Sequence, residues 1–217
     1  MPSLSSYDKG TKGFEGRRYK ADINSGLDAQ EKLWGAVTRY NKTRAKNKKS
    51  QYTPERILAV GNHEERVDRV VNLSPELEGT IGEQDYQFEK FWQQVIPFKS
   101  TAVVEGFAVS HYFPAGLLGR PIGGENPADA HLKKLSMSCI AGHSHLLDIK
   151  SRTKADGSKM MGLVGGCYVH EDMVETWNKN TYQLWWNGVT MLTDVENGYA
   201  EGVEFITQAR IRREYDR

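Results

Sequence analysis

Arg56-Ile57-Leu58-Ala59-Val60-Gly61-Asn62-His63-Glu64 reads as a short buried strand that runs directly into a polar turn. The apolar run is too short for a helix, and Gly61 permits the sharp turn that follows it. Glu64 to Asn72 then has the texture of a helix. Upstream, Tyr19, Ile23, Leu27, Trp34 and Val37 recur near helical spacing, which predicts a long amphipathic helix over about 15–48, with Thr53-Pro54 closing the polar linker after it. Downstream, Phe88, Phe91, Trp92 and Val95 stand at i, i+3, i+4 and i+7 and predict another helix, stopped by Pro97.

From residue 101 the texture changes to strands. Thr101-Ala102-Val103-Val104 and Phe107-Ala108-Val109-Ser110 flank Glu105-Gly106, a tight hairpin signal. Asn126-Pro127 reads as the cap and first residue of a helix reaching about Leu135. Ser138-Cys139-Ile140-Ala141 and Met161-Gly162-Leu163-Val164 read as buried strands. Leu184-Trp185-Trp186, Asn187-Gly188 and Val189-Thr190-Met191-Leu192 predict a second hairpin, and Val203 to Ile206 a last strand. Helices alternating with short apolar strands indicate a layered α/β domain.

Composition agrees. The 217 residues are 38% hydrophobic and 26% charged, which excludes disordered, collagenous and coiled-coil chains. No apolar run approaches the roughly 18 residues of a membrane span. Met1-Pro2-Ser3-Leu4 lacks a basic region followed by an apolar stretch, so no secretory leader is expected. Cys139 and Cys167, the two cysteines, are expected to be reduced thiols of a cytoplasmic protein, with Cys139 packed in its apolar run.

Three segments place a metal-competent side chain just after a predicted strand: Gly61-Asn62-His63-Glu64, Ser110-His111-Tyr112 and Gly142-His143-Ser144-His145. Strand ends on one edge of a sheet converge, so such loops can assemble a site from distant sequence. Imidazole nitrogen and amide oxygen suit borderline divalent ions. His143 and His145 are expected on one side of an extended segment. His131, on the 127–135 helix, is expected at the surface, and His170 outside the site.

In that order, Gly-Asn-His-Glu, a lone His after a strand and Gly-His-x-His resemble the C-terminal half of the calcineurin-like metallophosphoesterase signature, over about 56–171. The resemblance implies a four-layer αββα sandwich, here lacking its N-terminal strand or strands. It implies hydrolysis of phosphate esters, by a phosphomonoesterase or by a phosphodiesterase or nuclease, at a pair of divalent ions. Mn²⁺ is the first expectation, with Fe, Zn or Ni as alternatives; an intact member holds two ions and this chain one or none. Asn62, His111 and His143 match ligands of one metal and His145 a ligand of the other. His63 matches the residue that protonates or stabilises the leaving oxygen, and Glu64 would orient His63.

The family pattern opens with Asp-x-His and Gly-Asp-x-x-Asp, and neither precedes Gly61 here. The bridging carboxylate is therefore missing, and Met1 is expected to be an internal methionine of a longer enzyme. The expected organisation is one N-terminally incomplete domain over 1–217, with a basic helical segment at 1–55, the motif-bearing core at 56–171 and C-terminal strands at 172–217. A missing strand would expose an apolar edge. The competing expectation is a non-catalytic remnant serving as a binding or interaction module. Residues 1–56 hold 13 Lys/Arg against 6 Asp/Glu, and Arg39 to Lys49 holds six cations without an acid. Such a run either suits the negative end of a helix or attracts polyphosphate, so nucleic acid is the candidate partner through 39–49, and no membrane is expected.

Overall fold

The computed structural model describes residues 2–174 and 178–215. Met1 lies outside them, as do 175–177 and 216–217 of the expected C-terminal segment. The protein is mixed α/β, and the chain forms two compact units, Met1–Ile96 and Pro97–Arg217. Among the described residues no helix is long and apolar enough to cross a membrane.

The first unit is dominated by α1, Tyr19–Lys46, in which no residue is fully buried. It is held by one polar and aromatic stripe. Tyr19 donates to Asp85, Trp92 Nε1 donates to Gln30 at 2.6 Å, Lys90 pairs with Glu31 at 2.8 Å, and Trp34 meets Trp92 edge to face at 5.3 Å. β1 (Ile57–Ala59) pairs in parallel with β2 (Gln94–Ile96), Leu58 opposite Val95. Between them lie α2 (Arg66–Leu73) and the single turn α3 (Phe88–Phe91).

The helix expected over Phe88 to Val95 is corrected here. Phe88 and Phe91 are both buried, so one turn satisfies their spacing. The chain turns extended at Trp92, and Gln94–Ile96 spends its backbone groups on the ladder with β1. Tertiary pairing overrides the local period.

The second unit has three layers. Its sheet runs β3 (Ala102–Val104), β4 (Phe107–Val109), β7 (Cys139–Ala141), β9 (Lys159–Gly165) and β8 (Leu147–Thr153), in that spatial order. The central strands β4, β7 and β9 are mutually parallel, and the outer two run antiparallel. β5 (Pro114–Ala115) and β6 (Arg120–Pro121) form a small separate hairpin. α4 (Pro127–Leu135) covers one face, where Leu132 packs with Ala108, Cys139 and Ala141. The other face carries Phe107, Met161 and Ile140 against Leu192, Val195, Ala200 and Val203 of a long hairpin. That hairpin is β10 (Gly188–Glu196) with β11 (Tyr199–Thr207), followed by α5 (Gln208–Tyr215). Residues 107 and 108, or 139 and 140, thus serve opposite layers, as the period of two requires. Gly162 admits α4 closely: a Cβ there would lie 2.7 Å from the Ala128 carbonyl.

Two turn assignments change. Asn187-Gly188 is not the hairpin turn; Gly188 begins β10, and the turn is Asn197-Gly198, with φ of +48° and +78°. Both angles are those of a type I′ turn, which matches strand twist. Asn187 instead braces a loop, its Oδ1 accepting from Val169 N at 2.8 Å and from Cys167 Sγ at 3.4 Å. Asn126 precedes α4 but its side chain makes no cap bond. The Asp148 carboxylate, from β8, accepts from Ala128 N at 2.8 Å in its place.

Candidate metal centre

Because β4 and β7 are adjacent and parallel, their following residues leave the same edge of the sheet. The His111 carbonyl accepts from Gly142 N at 3.3 Å and from His143 N at 3.1 Å, locking the two loops together. The rings then meet: His111 Nε2 lies 3.0 Å from His143 Nδ1, with centroids 5.0 Å apart. Tyr112 lies beside the pair, tilted on His143 at 5.1 Å and edge to face with Phe98 at 5.4 Å. Beneath them, buried Ser110 has its hydroxyl 2.8 Å from the carbonyls of Ser100 and Tyr112.

The expectation that residues 142–145 are extended is overturned. His145 N donates to Gly142 O at 3.1 Å, so the segment is a reverse turn, and His145 adopts φ of +61°. Its ring packs edge to face on Trp185 with centroids 4.0 Å apart, and its carbonyl accepts from Trp186 N at 3.0 Å. Burial pushes the proton affinity of both His143 and His145 below the usual imidazole range, and the charge of His143 lowers His145 further. Both rings are therefore neutral near pH 7, the state in which imidazole ligates a metal.

Asn62 and His63 lie in the first unit, half-buried in the turn after β1. Glu64 closes that turn: its carboxylate accepts from Gly61 N at 3.0 Å, and its carbonyl accepts from the Tyr86 hydroxyl at 3.0 Å. This bracing of the turn is a role the motif does not announce.

His131 is corrected from surface to core. It is 2% exposed, edge to face with Phe113 at 5.3 Å, and burial lowers its proton affinity. It also completes the tripeptide Asp129-Ala130-His131, which has the letters of Asp-x-His but lies on α4. Asp129 there pairs with Lys133 at 2.7 Å and with Arg152, contacts that hold its carboxyl at about 2. His170 sits 3.2 Å from Asp172. Both thiols are pushed up by burial, Cys139 to about 12 and Cys167 to about 11.

Sequence reasoning missed Tyr112 and Trp185, whose rings shape the surroundings of His143 and His145. Tyr112 was signalled by its place next to His111, whereas Trp185, 40 residues beyond His145, carried no local signal.

Among the described residues no three His, Cys, Asp or Glu side chains form a metal-binding group. The His111–His143 pair nonetheless fits two positions of one. Two nitrogens each about 2.0–2.1 Å from a shared ion, at angles between octahedral and tetrahedral, would lie roughly 2.8–3.4 Å apart. The observed 3.0 Å falls within that range. No protein-family model, no curated protein and no solved structure matches this chain.

Proposed function

We propose that this protein is a metal-dependent hydrolase of phosphate esters, built on the metallophosphoesterase pattern its motifs resemble. The observation that carries the reading is the His111–His143 pair at the carboxyl edge of parallel strands, nitrogen facing nitrogen at 3.0 Å. The layering of α4, the five-stranded sheet and the β10–β11 hairpin in the second unit supports an αββ part of an αββα sandwich.

His111 and His143 would hold a divalent cation, Mn²⁺ in the first instance; the resemblance adds Asn62 to that ion and assigns His145 to a second. Such a cation neutralises phosphate charge and lowers the pKa of a water it binds. The protein's part is to keep the His143 imidazole neutral by burial and to tie the two loops together through the His111 carbonyl, so that binding need not reorder either loop. The resemblance would give His63 the part of donating a proton to the leaving oxygen, a role worth about 10²–10⁴-fold in rate. With imidazole and amide ligands alone no negative charge offsets the cation, so the chain binds it weakly and turns over slowly.

A second reading is a non-catalytic module holding one ion or none, since neither Asp-x-His nor Gly-Asp-x-x-Asp precedes Gly61 to supply a bridging carboxylate. Titration with Mn²⁺ followed calorimetrically, together with hydrolysis of bis-p-nitrophenyl phosphate, separates the two. The hydrolase reading expects Mn²⁺-dependent turnover that is lost in His143→Ala and reduced at least a hundredfold in His63→Ala. Turnover that survives both substitutions would refute it, and Mn²⁺ binding without turnover would leave the module.

A further inference from the structure

We infer that the C-terminal half of α1 and the strap folded back along it, residues 34–56, form a binding surface for single-stranded nucleic acid. The inference rests on no part of the hydrolase reading.

The strap is built rather than loose. Asn41 grips Tyr52 from both sides, its Nδ2 donating to Tyr52 O at 2.7 Å and its Oδ1 accepting from Tyr52 N at 2.8 Å. One turn further on, Arg44 Nε donates to Ser50 O at 2.7 Å. Trp34, Val37, Thr38 and Asn41 stand at i, i+3, i+4 and i+7, so one helix face and the strap enclose a groove of about 170 Å³. Tyr52 and Arg56 form its other wall, and the Arg56 guanidinium lies over the Trp34 ring at 5.0 Å. The groove has the scale of one aromatic heterocycle, with a cation and an amide at its rim.

Over residues 34–56 seven cations face a single carboxylate, Glu55. Arg39, Lys42, Arg44, Lys46, Lys48 and Lys49 contain no acid between them. The α1 carboxylates that pair, Asp28 and Glu31, take Lys32 and Lys90. Among the described residues no carboxylate pairs with any of the six. Two large rings stand out among these cations, Tyr40 at 52% and Tyr52 at 58% exposed. Cations that track a phosphate backbone, interleaved with exposed aromatic faces, are what unpaired bases require. A duplex, whose bases are already stacked, would use the cations and leave the rings idle.

The test is fluorescence anisotropy of the whole chain with a labelled 20-nucleotide oligo(dT), against a duplex of equal length and against heparin. If about five phosphates are neutralised, affinity falls about 100-fold between 50 and 200 mM salt. Reversing three exposed cations (Lys42→Glu, Lys46→Glu and Lys49→Glu) removes binding, and Tyr52→Ala, which keeps the backbone clamp of Asn41, weakens it about tenfold. His143→Ala binds as the parent does, so loss of turnover in that variant and loss of binding here report on different claims. Three results would overturn the inference: no binding at 50 mM salt, equal affinity for duplex or heparin, or oligo(dT) affinity unchanged in both Tyr40→Ala and Tyr52→Ala.

Discussion

Replacing His131 with leucine should remove part of the acid sensitivity of the second unit while leaving its stability at neutral pH intact. The imidazole, on the face of α4 that packs on Phe113, is 2% exposed, and neither ring nitrogen reaches a partner with good hydrogen-bond geometry. Burial lowers its proton affinity; the Ile122 backbone and the Asp148 carboxylate pull upward, more weakly. The folded state therefore holds His131 neutral, while the unfolded chain takes up a proton near pH 6.5. As pH falls the unfolded state binds more protons, so stability is full above that value and is lost progressively below it. For an imidazole that stays neutral through pH 5, integration from pH 7 to 5 gives a ceiling of about 2 kcal/mol. Leucine abolishes this share, and at pH 7 it exchanges an unpartnered polar ring for apolar surface, a change within about 1 kcal/mol of neutral. Urea unfolding at pH 7 and pH 5, for parent and His131→Leu, isolates the term because His143 and His145 contribute equally to both chains. Identical losses between the two pH values would show that the folded protein accepts the proton, and would refute the burial argument.

Other consequences are narrower. Gly162→Ala should cost about 2 kcal/mol, since its Cβ would press on the Ala128 carbonyl and Leu132, whereas Gly165→Ala, which meets nothing within 4 Å, should cost far less; equal effects in thermal unfolding would contradict the close approach of α4. Asn187→Ala should destabilise by about 1–2 kcal/mol, by leaving Val169 N without its acceptor, and should expose Cys167 to thiol reagents. In the parent at pH 8, with the thiols at about 12 and 11, only about one in 10⁴ of Cys139 and one in 10³ of Cys167 is thiolate. Modification by a disulfide reagent should therefore be slow until urea is added, and rapid labelling of the native chain would contradict the raised thiol pKa of both.

How far the fold could be read from sequence depended on whether local pattern and long-range pairing agreed. Near the end of the chain Asn-Gly occurs twice, at 187–188, the hairpin turn expected from sequence, and at 197–198, which was not expected to be one. Local chemistry rates them alike. What separates them is the other face of the sheet: Leu192, Val195, Ala200 and Val203 must all reach Phe107 and Met161, which needs strands spanning 188–196 and 199–207 and places the turn at 197. Glu105-Gly106 had no such rival, and it turns with φ of +48° and +81° between β3 and β4. The helix over Phe88 to Val95 failed for the same reason as the first hairpin, because β1 claims residues 94–96. The helix start at Pro127 was legible, but not that its cap would come from Asp148, 20 residues beyond the Ala128 N–H it accepts from.

The candidate site divides along the same line. Adjacent parallel strands lie about 4.8 Å apart, so residues that leave β4 and β7 in matching positions are neighbours whatever their sequence separation. Strand prediction alone was thus enough to bring the His111 and His143 loops to one edge. Their ring contact needed one more constraint, the His111 carbonyl that accepts from both Gly142 and His143, and no side-chain motif encodes a backbone acceptor. His145 is the opposite case. Reading it as a strand residue gave it the same face as His143, yet a single reversed turn at Gly142 carries it to φ of +61° and onto Trp185, whose position depends on a segment forty residues away. Side chains that follow a strand inherit the order of the sheet; once the chain turns, each further residue answers to whatever packs beside it.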